Sequence, residues 1–247
     1  MPAMPGPLHH AITVAGMCLV ALLGSGRCAA ADSGFGGSLV ATTDYVFRGL
    51  SQTRGDPALQ GDVHYRGRAG WFAGAWASTI DPEADYIGGA ELNAYAGWTW
   101  APALDWSARV SYVRYLYPEA SQGENYDYGE LTGTVGYRDR FFATLGWSPD
   151  MVRTTHDGYD RRGTSLSYEL SLRQPVWRWF GVAAGAGYYD LTDVLDDSYW
   201  SWNATVTATF GRLEFDLARF ANDGTAVDLF GRDTAADRWA LTAIWRF

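Results

Sequence analysis

The sequence predicts an all-β protein, an antiparallel transmembrane β-barrel of about 12 strands after a cleaved N-terminal signal peptide. Three observations lead there. Apolar and polar residues alternate at period two in run after run, as in a strand whose two faces meet different surroundings. Short and long connections alternate along the chain, as tight turns and outside loops do in an outer-membrane barrel. The chain also ends on an aromatic residue, Phe247, with Trp245, Ala243, Leu241 and Trp239 stepping back from it in twos.

The first element is the export segment. Ala11 to Leu23 is an apolar run, followed by Gly24 to Cys28 and then Ala29, Ala30 and Ala31. Small residues at Ala29 and Ala31 fit a cleavage site before Asp32. Residues 1–31 are therefore expected to be the signal peptide and 32–247 the barrel. Cleavage there removes Cys18 and Cys28 and leaves a mature chain without cysteine, so its stability must come from something other than disulfides.

Twelve alternating runs follow, near 36–50, 57–68, 71–80, 86–100, 104–117, 126–138, 141–149, 164–173, 179–191, 199–210, 213–221 and 238–247. Leu166, Tyr168, Leu170 and Leu172 interleave with Ser165, Ser167, Glu169, Ser171 and Arg173, and Trp202, Ala204, Val206 and Ala208 with Asn203, Thr205 and Thr207. Such lengths suit a tilted strand that crosses a bilayer. Residues 68–70, 101–103, 139–140, 174–178 and 211–212 read as short turns. Residues 51–56, 81–85, 118–125, 150–163, 192–198 and 222–237 read as the longer outside loops.

Composition removes other classes. Nineteen basic residues, all arginine, stand against 28 acidic ones, for a net charge of −9 and a pI near 4.8. Nucleic-acid binding needs a basic stripe and is not expected. No apolar run reaches the ~18 residues of a spanning helix. A soluble barrel would alternate in the same way, but two features favour the membrane. Aromatics gather near strand ends (Tyr45, Phe47, Trp98, Trp100, Trp147, Tyr188, Trp200, Trp202), as interfacial girdles would. The polar stripes carry charges that a wet lumen holds and a dry core does not.

One stretch is distinctive in its letters. Asp44-Tyr45-Val46-Phe47-Arg48-Gly49-Leu50-Ser51-Gln52 is followed by Asp56 to Gly61, by Gly74-Ala75-Trp76-Ala77-Ser78 and by Glu91 to Gly97. This resembles the TorF-type porin family, proteobacterial outer-membrane proteins of unknown function, over the first three to four strands. The resemblance implies a barrel in the outer membrane and a pore, and carries no catalytic residues with it.

With Tyr45 and Phe47 set to face lipid, Asp44 and Arg48 face inward. Asp62, His64 and Arg66 join them from the next strand, and Glu91, Arg109, Glu130, Glu169 and Arg173 from later ones. These ten are the candidate lumen-lining residues, and Asp44 and Arg48 are expected in a network of opposed charges. Such networks also arise for structural reasons alone. Acids crowd the outside loops, which predicts cation preference at the mouth, while Arg48, Arg66 and Arg109 oppose it inside. His64 beside Asp62 suggests a hydrolytic pair, but no partner serine or G-x-S-x-G turn accompanies it. His156 with Asp150, Asp157 and Asp160, and the acids Asp81, Glu83, Asp85, Asp193, Asp196 and Asp197, lack metal-site spacing. Neither a metal nor a cofactor is expected.

The expected function is passive diffusion of small solutes through a narrow charged lumen, without enzyme activity. Two alternatives stand beside it, a non-conducting structural or adhesive barrel and a lipid-modifying enzyme of the outer membrane. Expected partners are outer-membrane lipid and lipopolysaccharide, the small solutes, and the barrel-insertion machinery, which would read the C-terminal strand through Trp245 and Phe247.

Overall fold

The computed structural model describes residues 33–81, 88–118, 126–155 and 158–247, so the expected signal peptide lies outside the described residues. The strands are β1 (Gly34–Thr42), β2 (Val46–Phe47), β3 (Leu50–Ser51), β4 (Ala58–Arg66), β5 (Trp71–Thr79), β6 (Ala90–Ala103) and β7 (Trp106–Leu116). They continue with β8 (Tyr128–Tyr137), β9 (Phe141–Thr155), β10 (Gly158–Trp177), β11 (Phe180–Asp190), β12 (Ser198–Phe210), β13 (Leu213–Asn222) and β14 (Arg238–Arg246). All but β2 and β3 form one closed antiparallel barrel of twelve strands, each paired with its sequence neighbours. β1 against β14 closes it, with Leu39 opposite Trp245 and Thr42 opposite Thr242. Paired backbone amides carry this junction to the end of the chain: Gly37 N–H donates to Phe247 O at 3.0 Å and Phe247 N–H to Gly37 O at 3.1 Å.

Alternation sorts the wall into two faces. Leu39, Leu59, Val63, Leu145, Leu170, Val206, Leu217 and Leu241 are exposed on the outside. Outward aromatics form two belts. Trp71, Trp98, Trp100, Trp106, Trp179 and Phe210 lie toward the short turns, and Tyr112, Trp147, Tyr168, Trp200, Trp202 and Trp239 toward the loops.

The first alternating run departs from expectation. β1 stops at Thr42, and the chain turns into the barrel instead of continuing up the wall. β2 and β3 pair only with each other, as a small hairpin inside the loop end. Tyr45 (2% exposed) and Phe47 (7%) therefore do not face lipid; they are buried with Leu50 in the interior. Part of the segment read as the first outside loop goes inward as well, since Ser51, Gln52 and Thr53 are buried. A period-two pattern records that two faces differ. It does not record which sheet the strand joins.

Three other boundaries differ. Much of 150–163 is strand, with β9 running 15 residues and β10 running 20. β6 continues to Ala103 and β10 to Trp177, where β10–β11 pairing shifts register beyond Pro175. The loop after β11 holds α1 (Thr192–Leu195), and that after β13 holds α2 (Gly224–Phe230) and α3 (Arg232–Ala235). Asp223 starts α2 by accepting a hydrogen bond from Ala226 N–H at 3.0 Å, the usual N-cap role. Among the described residues no helix is long and apolar enough to cross a membrane.

Candidate functional site: a barrel interior plugged at one end

The hairpin is organised around Asp44. Its carboxylate accepts from Ser51 Oγ at 2.5 Å and Thr53 Oγ1 at 3.0 Å, and pairs with Arg238 of β14 at 2.7 Å. The first two bonds fold the segment back on itself, and the third pins its base to the wall. Arg48 (φ +52°) and Gly49 (φ +80°) form the tip, both left-handed, as a two-residue turn between β2 and β3 requires.

From that tip Arg48 reaches across the lumen. Its Nη1 and Nη2 each lie 2.9 Å from the Glu130 carboxylate of β8, a bidentate pair. Nη2 also donates to Ser167 Oγ at 2.9 Å, and Nε to Glu169 at 3.3 Å, both on β10. The guanidinium lies over the rings of Phe47 and Tyr189. Gly146 of β9 makes room, because a Cβ there would stand 3.3 Å from Arg48 Nη2. The tip backbone is held too: Tyr199 Oη donates to Arg48 O at 3.1 Å and Asn222 Nδ2 to Gly49 O at 2.8 Å.

Aromatic packing fills the rest of the loop end. Tyr45 lies against Trp76 and donates to Glu91, a fully buried carboxylate that also accepts from Asn93 at 2.7 Å. Tyr115 stacks on Tyr128 at 4.4 Å between ring centroids, and Phe230 of α2 meets Tyr199. The loop end is thus a packed core with a charge network through it.

The turn-end half is built differently. Asp62 accepts from Tyr95 Oη, and its other oxygen lies 2.6 Å from His64 Nδ1. Glu214 pairs with Arg246 at 2.8 Å, and Asp216 accepts from Thr207 at 2.6 Å. The Arg109 guanidinium lies over Phe72 at 4.1 Å, and that of Arg173 over Phe142 at 5.8 Å. Arg66 is exposed where β4 ends.

The ten residues singled out in the sequence fall into two groups. Asp44, Arg48, Glu91, Glu130 and Glu169 belong to the loop-end plug, and Asp62, His64, Arg66, Arg109 and Arg173 to the turn-end half. Tyr115, Tyr128, Tyr189, Tyr199 and Asn222 are not among the ten; they occupy inward positions of their strands, which a strand-by-strand register finds. The Nε2 of His64 faces Gly36, where a Cβ would stand 2.9 Å away.

No cluster of His, Cys, Asp or Glu that could hold a metal occurs among the described residues. His156, Asp157, Glu83 and Asp85 lie outside them. Asp193 accepts from Thr164 N–H at 2.7 Å and Asp197 from Ser198 N–H at 2.8 Å, so both serve local structure.

Comparison with known proteins agrees with the architecture. The family described as "Bacterial protein of unknown function (Gcw_chp)" matches residues 28–239. Among solved structures, the KdgM porin superposes with a TM-score of 0.53 at 8% identity, covering 86% of this chain and 99% of that one. The NanC porin gives 0.56 at 7% identity, covering 84% and 97%. A KdgM porin structure in complex with disordered oligogalacturonate gives 0.51 at 9%, covering 87% and 99%. At such identities the likeness is one of fold. No curated protein sequence matches the chain.

Proposed function

The chain belongs to the Gcw_chp family of bacterial proteins of unknown function, and from that premise we propose that it resides in the bacterial outer membrane as a narrow passive pore. Small solutes would cross a charged lumen whose width is set by the inward hairpin. One observation carries this reading: a closed barrel exposes large apolar side chains outside and turns charged ones inside. A soluble protein does not leave a continuous apolar surface to water, whereas lipid accepts it at no cost. The aromatic belts fit the two bilayer interfaces.

The proposal includes the export of residues 32–247 after removal of 1–31, and membrane insertion through the strand that ends at Trp245 and Phe247. Outer-membrane lipid, lipopolysaccharide, the insertion machinery and small solutes are the partners it needs. The TorF-type resemblance points the same way, and its most distinctive letters, Asp44 to Gln52, are those of the hairpin. Transport of this kind needs no cofactor and no catalytic residue.

Conductance of the refolded full chain in a planar bilayer tests the pore. Steady single-channel steps support it. The hairpin also favours a second reading, a barrel that does not conduct, because aromatic packing fills the loop end around it. Silent wild-type protein that conducts once the hairpin is released would establish a closed pore. Silence in both would establish a structural barrel.

A further inference from the structure

Among the described residues, Arg66 and Arg109 of the turn-end half have no acid partner and no hydrogen bond. Three other luminal arginines each pair with an acid: Arg48 with Glu130 and Glu169, Arg238 with Asp44, and Arg246 with Glu214. Arg109 makes no hydrogen bond or ion pair among the described residues, and its Nε is buried without a partner. Arg66 makes none there either, and lies opposite Phe72 in the β4–β5 register, beside the ring over which Arg109 sits. Two like charges side by side, one largely out of water, repel each other unless an anion joins them.

The arrangement is built rather than incidental. Phe72, on β5 directly opposite Arg66 in register, carries Arg109 on its ring face. Gly97 of β6, opposite Phe72 in register, leaves room for that ring, since a Cβ there would stand 2.5 Å from Phe72 Cζ. A guanidinium held over a ring face keeps its N–H donors free for a ligand. The nearby acid, Asp62, attracts Arg109 by its charge but makes no ion pair with either arginine among the described residues. Asp62 has one oxygen committed to His64 and the other to Tyr95. The site lies away from the plug, and Arg66 is exposed, so it is approached from the turn end.

We propose that Arg66 and Arg109, flanking Phe72, form a binding site for the oxyanion group of a solute, a carboxylate or a phosphate. Guanidinium forks match both groups, and two forks side by side favour a ligand of more than one negative charge. This deepens the pore reading by naming its solute class and rests on the lumen being wet. It does not need the plug to open, which keeps the two failures separate.

The test is calorimetric titration of the refolded full chain in neutral detergent at low salt, with inorganic phosphate in one arm and acetate in the other. Saturable heat that chloride competes away is expected, stronger for phosphate. Arg66→Gln and Arg109→Gln should each weaken binding about tenfold, the scale of one charge-assisted bond. Arg212→Gln, in a short turn, should change nothing. Arg109→Lys guards against misfolding: it keeps the charge but loses the fork, so binding should fall while heat-modifiable migration is retained. Acetate matched to phosphate assigns a carboxylate site, and phosphate alone a phosphate site. No saturable heat with either ligand, or wild-type binding in both glutamine variants, overturns the proposal, whatever conductance shows.

Discussion

Arg48, at the tip of a hairpin that begins near β1, is held by Glu130 of β8 through two 2.9 Å contacts from across the barrel. The pair joins the sequence's most distinctive segment to the opposite wall, and it is buried, with side chains 8% and 5% exposed. Low surrounding polarity makes such a pair costly to break, because the surviving charge is stranded.

Arg48→Ala should therefore destabilise the plug by roughly 3–5 kcal/mol, leaving Glu130 and Glu169 without their cation. The expected outcome is a larger and noisier conductance with the barrel still formed. Adding Glu130→Gln should recover part of the lost melting temperature. Unchanged conductance in Arg48→Ala would show that the hairpin does not limit the lumen.

Gly49→Val tests the same plug through its backbone. The position has φ +80°, and a Cβ there would stand 2.0 Å from Asn222 Oδ1 and 2.2 Å from Ser201 Oγ. Left-handed backbone alone costs a residue with a side chain roughly 1–2 kcal/mol, and the collision adds to it. Bilayer recordings should show the hairpin released, with heat-modifiable migration kept. A wild-type current trace would mean that the turn relaxes without leaving its seat.

Leu170 and Ser171 are consecutive on β10, one outward and 66% exposed, the other inward. Arginine at Leu170 should cost roughly 2–4 kcal/mol if that face meets the bilayer midplane, and arginine at Ser171 much less. Urea titration of protein refolded in lipid vesicles measures both. Equal costs would contradict a lipid-facing exterior.

Phe247 closes the barrel by exchanging backbone hydrogen bonds with Gly37, and its ring packs against Trp245. Deleting Phe247 removes both contacts from the β1–β14 junction. The amount of heat-modifiable barrel recovered from membranes should fall severalfold, while the variant refolded in detergent still closes. Normal recovery would separate the terminal aromatic from membrane assembly.

Sequence alone determined the wall. Alternation along Leu166 to Arg173 or Trp202 to Phe210 reports which residues share a face, and twelve such runs with short and long connections specify a closed antiparallel barrel. That information is local, since period two is a property of the strand itself. Inward placement of Glu91, Arg109, Glu130 and Glu169 was legible for the same reason. Only the tertiary structure decided what those residues meet. The same alternation sets Tyr45 and Phe47 on the lipid side, because Asp44 to Ser51 alternates like a wall strand while its partners, Arg238, Tyr199, Asn222 and Glu130, lie far along the chain. The pairing of Arg48 and the isolation of Arg109 likewise depend on side chains brought together by barrel closure. Closure is a long-range event, and nothing in a strand's own sequence records which charge will stand opposite it.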